Sequence, residues 1–354
     1  GGAGDDLVSE GLLGIIGVTC MSERLRLHLP AVVLLVMDLS ACGPRDGRVD
    51  SQASAVDQGA AAPAAELVTP TVSAQPAPSW QEAADAAYTG VFDEPVRLRD
   101  GTWQGEPYAE GGASAPRAGL ADGFLLSGDL DGDAAGESVV LLWSSMGGSG
   151  TFDYLAVLDR EASGAVLNRA TVPLGDRVKI RSAALEDGRV TIETVQAGPE
   201  DAACCPGQKM RRTFTLEGNS MTETSTEDIG RLSLSDLDGE WKLVRFGADG
   251  VVPEDVEITL QFADGAIAGR AACNRYTGSV AAGDVPGDLS LSGPMAMTRM
   301  MCQPPLMEWE QRYAQALEGL ARYSFVAGKL VLSWRDENGA GSLFFVRVAE
   351  AAAS

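Results

Sequence analysis

Short apolar runs recur along most of this chain, each bounded by glycine, aspartate or asparagine. SVVLLWSS (138–145), FDYLAVLD (152–159), RVKIRSAAL (177–185), RVTIETV (189–195) and RTFTL (212–216) are rich in β-branched residues. That pattern predicts antiparallel strands joined by hairpins. An amphipathic stretch before them, QEAADAAYTGVF (81–92), predicts a short helix. MGGSGT (146–151) separates two of the strands. It lacks the GK[ST] of a P-loop and no helix follows it, so it predicts a glycine turn rather than a phosphate cradle.

A second series begins near Leu232 with GEWKLVRF, VEITLQFA, AIAGRAA and LSLSG. The period then changes. PPLMEWEQRYAQALEGLARY places Leu306, Trp309, Tyr313, Leu317 and Leu320 near one helical face, with Pro305 at the start and Glu308 and Glu310 expected in the first turn. FVAGKLVLSW and SLFFVRV are expected to close the series as a hairpin across DENGAG. The prediction is therefore a mainly β, α+β chain with two small domains, 81–230 and 231–350.

The N-terminal part reads as an address. From Met21 the chain has a short basic region (Arg24, Arg26), an apolar run from Ala31 to Met37, and then Leu39-Ser40-Ala41-Cys42. This order resembles a bacterial lipoprotein signal, in which Cys42 is acylated and becomes the mature N-terminus. The alternatives are an ordinary secretory signal or an anchor helix, but the apolar run is shorter than the roughly 20 residues a spanning helix needs. Asp38, beside the lipobox, departs from the pattern. Residues 1–20 read as an upstream extension, 21–41 as the signal, and 42–80 as an Ala/Pro-rich disordered tether.

The charge is −23, with only four lysines and scattered arginines, so a nucleic-acid surface or a polybasic membrane patch is not expected. The sole histidine, His28, lies within the signal. A mature chain beginning at Cys42 would lack the base of a Ser-His-Asp or Cys-His site and any imidazole ligand for zinc or copper. No lysine follows a serine by three positions, which removes the S-x-x-K alternative. These absences point away from enzyme activity, and paired carboxylates are the main chemistry left.

Several separated motifs in the second half resemble the META domain of the HslJ-like heat-shock lipoproteins. They are LDGEW (237–241), AACNRYTG (271–278), which contains Asn274 and Arg275, AMTRMMC (296–302), which contains Arg299, and the helix Glu308–Leu320. The resemblance implies a compact antiparallel barrel-like fold with one packed helix over about 234–349. It also implies an association with envelope stress and antibiotic tolerance, with no established enzyme activity. GDLDGD, GGSGTF, LGDRV and CCP in 85–225 resemble a segment that sometimes precedes this domain.

Besides Cys42, the exported part keeps Cys204, Cys205, Cys273 and Cys302. Four cysteines allow three pairings, and locality favours Cys273 with Cys302 and Cys204 with Cys205. The first pair would close a loop of about 30 residues, contributing about 3–4 kcal/mol in the chain-entropy model. Asn274 and Arg275 would then be turn and surface neighbours of a staple; the competing reading is a Cys273 thiol activated by Arg275. Adjacent cysteines sit below the usual Cα separation of a disulfide, so Cys204–Cys205 reads as a vicinal redox pair, a soft-metal site or a rigid turn before Pro206.

DLDGDAAGE sets Asp129, Asp131, Asp133 and Glu137 at positions 1, 3, 5 and 9 of a loop, a spacing whose carboxylates can converge on Ca²⁺. Against this, Ala134 stands where an EF-hand has glycine and Val140 where it has glutamate. The alternative is a polar hairpin tip. Beyond Ca²⁺ no cofactor is expected. The expected partners are a membrane, reached through the N-terminal lipid, and an unidentified protein or small molecule. The expected location is the cell envelope, either the periplasmic face of an outer membrane or the outer face of the cytoplasmic membrane.

Overall fold

Uninterrupted apolar runs mark strands covered on both faces, and SVVLLWSS occupies such a position. In the computed structural model the described residues are 75–348 without 203, 249 and 338; Cys42, the signal and most of the tether lie outside them. Helix α1 (Trp80–Ala84) opens the first half, with Ser79 and Glu82 forming a capping box. Strands β1 (Ala87–Tyr88) and β2 (Val96–Arg97) form a small ribbon. Next come β3 (Thr102–Gln104), β4 (Arg117–Gly128), β5 (Glu137–Ser145), β6 (Phe152–Arg160) and β7 (Val166–Asp176), which pair in sequence order as a five-stranded antiparallel meander.

A second meander contains β8 (Lys179–Glu186), β9 (Arg189–Gln196), β10 (Gln208–Glu217) and β11 (Ser220–Arg231). Val139 and Leu141 of β5 and Leu155 and Val157 of β6 pack with Ile180, Val190, Ile192 and Phe214 of this second sheet. The opposite faces of β5 and β6 (Val140, Leu142, Ala156, Leu158) meet Tyr88, Leu98 and α1. The apolar run of β5 is thus explained by burial on both sides.

After a 3₁₀ turn at Leu234–Leu237 come β12 (Gly239–Phe246), β13 (Gly250–Val251), β14 (Thr259–Ala263), β15 (Ala266–Ala271), β16 (Asn274–Ala282), β17 (Leu289–Leu291) and β18 (Ala296–Met297). Helix α2 (Pro304–Glu318) follows, then β19 (Leu320–Val326), β20 (Lys329–Asp336) and β21 (Gly339–Arg347). The strand path is β17-β16-β15-β14-β12-β21-β20-β19. Its two ends approach each other through an Asp288–Arg322 bridge and a 2.7 Å bond from Tyr323 N to Gly287 O, so the sheet nearly closes into a barrel. Tyr313, Ala316 and Leu317 of α2 pack into the same core as Trp241, Tyr276, Phe325 and Phe345. The phenol oxygens of Tyr276 and Tyr313 lie 2.7 Å apart in the interior, and Tyr276 donates to Thr259 O.

Several boundaries differ from the sequence reading, beginning with the helix expected over 81–92, which ends at Ala84 and gives way to strand β1. Helix α2 ends at Glu318, where Gly319 lies too close to Arg335 O to carry a β-carbon, and Leu320 opens a strand instead of extending the helical face. Pro304 and Pro305 begin the helix, which moves Glu308 and Glu310 past the first turn. FVAGKLVLSW is two strands, reversed at Ala327 and Gly328, which both take left-handed φ values. At the other end, residues 75–79 of the expected tether join the folded body. Arg160 Nε donates to Pro76 O, Ser138 Oγ donates to Pro78 O, and Ala77 lies so close to Gly136 that a β-carbon there would crowd it.

The two halves pack within one compact unit, and their cores meet: Val195 of β9 joins the core of the second half, and Ala327 packs against that of the first. Asp236, almost fully buried, receives Lys209 Nζ at 2.7 Å and Arg181 Nη2 at 3.3 Å from the first half. Gly328 N donates to Ile180 O at 3.0 Å.

Burial pushes the Asp153 carboxyl up to about 6, against the bond it accepts from Val178 N and with help from the Asp176 charge. The folded state therefore holds a proton that the unfolded chain releases near pH 3.9, so this contribution to stability falls as pH rises from about 4 to 6. Asp153→Asn keeps an acceptor for Val178 and removes the charge. After discounting for solvent screening, it should raise stability by about 0.5–1 kcal/mol at pH 7 and leave it unchanged at pH 4. Urea unfolding at both pH values checks this; an equal gain at both contradicts it.

Candidate functional site

The turn between β15 and β16 consists of Ala272 and Cys273, with Ala272 at φ 62°. Its methyl is buried in the core, which explains a side chain at a position where glycine is usual. Cys273 is disulfide-bonded to Cys302, with Cα atoms 6.0 Å apart. The sulfur that sequence offered as a nucleophile is therefore engaged in a bridge. Domain locality had favoured this pairing.

Asn274 proves to be neither a turn residue nor a surface neighbour of the staple. It begins β16, is 1% exposed, and organises a buried polar knot. Asn274 N and Nδ2 donate to the two Glu310 oxygens at 2.7 and 3.0 Å. Its Oδ1 accepts from Met300 N and from Thr298 Oγ1, each at 2.7 Å. One side chain thus ties the hairpin, the strand-and-loop segment 296–302 and the helix together. Glu310 was missed as a site residue. The available signal was a carboxylate on the apolar side of the helix, four residues after Leu306 and three before Tyr313. Arg275 and Arg299, the other motif residues, are exposed.

A second constellation surrounds Cys204 and Cys205, which are bonded to each other with Cα atoms 3.8 Å apart. Cys204 is exposed and Cys205 buried. Cys204 borders a cavity of about 200 Å³ whose walls include Lys179, Pro206, Arg322 and Tyr323. Arg322 Nη1 reaches Cys205 Sγ at 3.4 Å and its Nε lies 3.5 Å from Asp288. Lys179 is half-buried and finds no carboxylate partner among the described residues. Burial, and then the Arg322 charge, pull its ammonium below the usual lysine range. Two cations facing one cavity in an acidic protein form a local anion-attracting patch. Sequence gave no warning of it, because Lys179 and Arg322 are far apart along the chain.

The third is the acidic loop between β4 and β5. Carboxylate oxygens of Asp129, Asp131 and Glu137 lie within 4.8 Å of one another, while Asp133 stands outside the group and accepts from Ala135 N. Ala134 adopts the left-handed conformation (φ 68°) that glycine would supply at that position. Arg169, also missed, lies 2.7 Å from Asp131 and 3.5 Å from Asp159. Burial, and after it the charges of Asp131, Asp159 and Asp133, hold the Glu137 carboxyl above the usual range against the bond from Leu130 N.

The barrel, the packed helix and the staple coincide with a family match: residues 233–348 fit the sequence profile described as the META domain. Residues 233–348 are a META domain. The knot at Asn274 and the Cys273–Cys302 bridge both lie inside it. An NMR structure of a protein from Burkholderia xenovorans is 27% identical, covering 36% of this chain and 99% of its own, with a TM-score of 0.27. Another NMR structure is 24% identical over 32% of this chain and 94% of its own, with a TM-score of 0.26. No curated protein matches the chain.

Removing Glu310 strands the buried Asn274 amide inside the META domain. Glu310→Ala should therefore cost about 2–3 kcal/mol. Glu308→Ala, on the exposed side of the same helix, should cost less than about 0.5 kcal/mol. Chemical denaturation of the two variants measures the contrast, and equal costs would mean the knot contributes nothing particular.

Proposed function

We propose that this chain is a non-enzymatic protein of the bacterial cell envelope, anchored by a lipid on Cys42, that contributes to stress or antibiotic tolerance by binding. The observation that carries the reading is the paired state of Cys273 and Cys302 in the META domain core. Stable structural disulfides belong to oxidising compartments, which agrees with an export signal at 21–41 and with the lipobox cysteine. With Cys273 in a bridge and Asn274 and Glu310 bonded to each other, the motif residues act as scaffold. Among the described residues no helix is long and apolar enough to cross a membrane. Attachment through Cys42 would then leave the META domain on a tether outside the bilayer.

One observation favours a second reading. The cavity beside Cys204 presents Lys179 and Arg322 and suits a small anion, so the chain would act as a binding module for a small ligand as well as for an envelope protein.

The anchoring claim is tested by expressing the full chain in a bacterium with a lipoprotein pathway and partitioning the cell in detergent. The expected result is a detergent-phase protein whose N-terminal peptide carries a diacylglycerol-sized mass, with Cys42→Ala recovered in the aqueous phase. Recovery of the unaltered protein in the aqueous phase, without added mass, contradicts the reading. For the second reading, succinate and sulfate should raise the melting temperature of the protein but not of Lys179→Ala; no shift with either anion removes it.

A further inference from the structure

We propose that Asp129, Asp131 and Glu137 form a Ca²⁺ site at the loop joining β4 to β5. The loop is drawn tight by its own aspartates, as Asp129 Oδ1 and Oδ2 accept from Gly132 N at 2.7 Å and Ala134 N at 3.1 Å. That fold gathers three carboxylates whose oxygens all lie within 4.8 Å of one another. Oxygens bound to one Ca²⁺ at about 2.4 Å can be no more than about 4.8 Å apart, so the cluster has the span of a single coordination sphere.

Glu137 supplies the independent observation. It is 0% exposed, its Oε2 accepts from Leu130 N at 2.7 Å, and its Oε1 has no hydrogen-bond partner among the described residues. A buried carboxylate oxygen is costly to leave unpartnered, and nearly all such oxygens in folded proteins have a partner. Here the carboxylate belongs to a cluster with the donor set of a hard cation. Arg169 supplies a single positive charge, placed on Asp131 and Asp159, against the carboxylates of Asp129, Asp131, Asp133, Glu137 and Asp159. The remaining negative charge favours a divalent ion.

The donor chemistry selects among cations. All three side chains offer oxygen, whereas Zn²⁺ and Cu⁺ prefer nitrogen and sulfur. Mg²⁺ demands near-octahedral geometry and sheds water reluctantly, while Ca²⁺ accepts irregular sets of six to eight oxygens. Main-chain carbonyls of the loop and water would complete the sphere. The site also lies beside residues 75–78, since Gly136 N approaches Gln75 O at 3.5 Å and Ser138 Oγ donates to Pro78 O. An ion there steadies the contacts of residues 75–78 with β5. This goes beyond the anchoring reading and does not depend on it.

The test is calorimetric titration of CaCl₂ into the whole chain after chelator treatment. One saturable site is expected, with a Kd of about 0.1–1 mM, the range of extracellular modules. Glu137→Gln and Asp129→Asn should each weaken binding at least tenfold, and Asp133→Asn should leave it within twofold. MgCl₂ should bind at least tenfold more weakly. If Glu137→Gln fails to fold, Asp129→Asn decides, because its side chain is exposed. Absence of saturable Ca²⁺ binding up to several millimolar overturns the proposal. Equal weakening by Asp133→Asn and Asp129→Asn overturns it too, since that is the signature of a diffuse charge cloud.

Discussion

A carboxylate inside an apolar core must find donors or it destabilises the fold, and Glu310 finds both of its donors on one residue. Asn274 meets it with a main-chain N–H and a side-chain NH₂, then turns its own carbonyl oxygen to Met300 N and Thr298 Oγ1. The consequence is geometric. The helix cannot shift along the barrel, nor the 296–302 segment lift away, without stranding a buried polar group. The Cys273–Cys302 bridge, anchored one residue from Asn274, limits the same motion covalently. Closing that loop restricts the unfolded chain, while the knot selects a single folded arrangement.

Sequence exposed the parts of this arrangement that depend on local pattern. The strands of the first half are legible because each alternates or is uniformly apolar according to the faces it buries. The helix is legible because Trp309, Tyr313 and Leu317 repeat at helical spacing after two prolines. The pairing of the cysteines follows from locality. Sequence failed where meaning depends on long-range neighbours. Asn274 resembles a turn residue until its contact with Glu310, 36 positions away, is known. Lys179 and Arg322 are unremarkable cations until the packing of the two halves places both at one cavity. FVAGKLVLSW is of another kind: its apolar run continues on both sides of Ala327 and Gly328, and only their left-handed φ values reverse the chain there.

The first half relates to the META domain through charge as well as apolar contact. Asp236 sits at the opening of the META domain and is held by Arg181 and Lys209 from the preceding sheet. Such a pair is weak evidence for net stability, because desolvation opposes the attraction, but it fixes orientation. The same relative placement creates the cavity beside Cys204, which shares no lining side chain with the acidic loop between β4 and β5. The chain thus carries a rigid stapled domain, a cationic recess and an anionic loop, each built from residues that only the fold brings together.

Disulfide mapping of the intact chain decides whether Cys273 serves the scaffold or a reaction. Free thiols would be blocked before digestion and the peptides separated without reduction. A scaffold role predicts a linked peptide pair joining Cys273 to Cys302, with no blocked Cys273 recovered. Recovery of Cys273 as a blocked free thiol would contradict it, and the AACNRYTG turn would have to be treated as a reactive site.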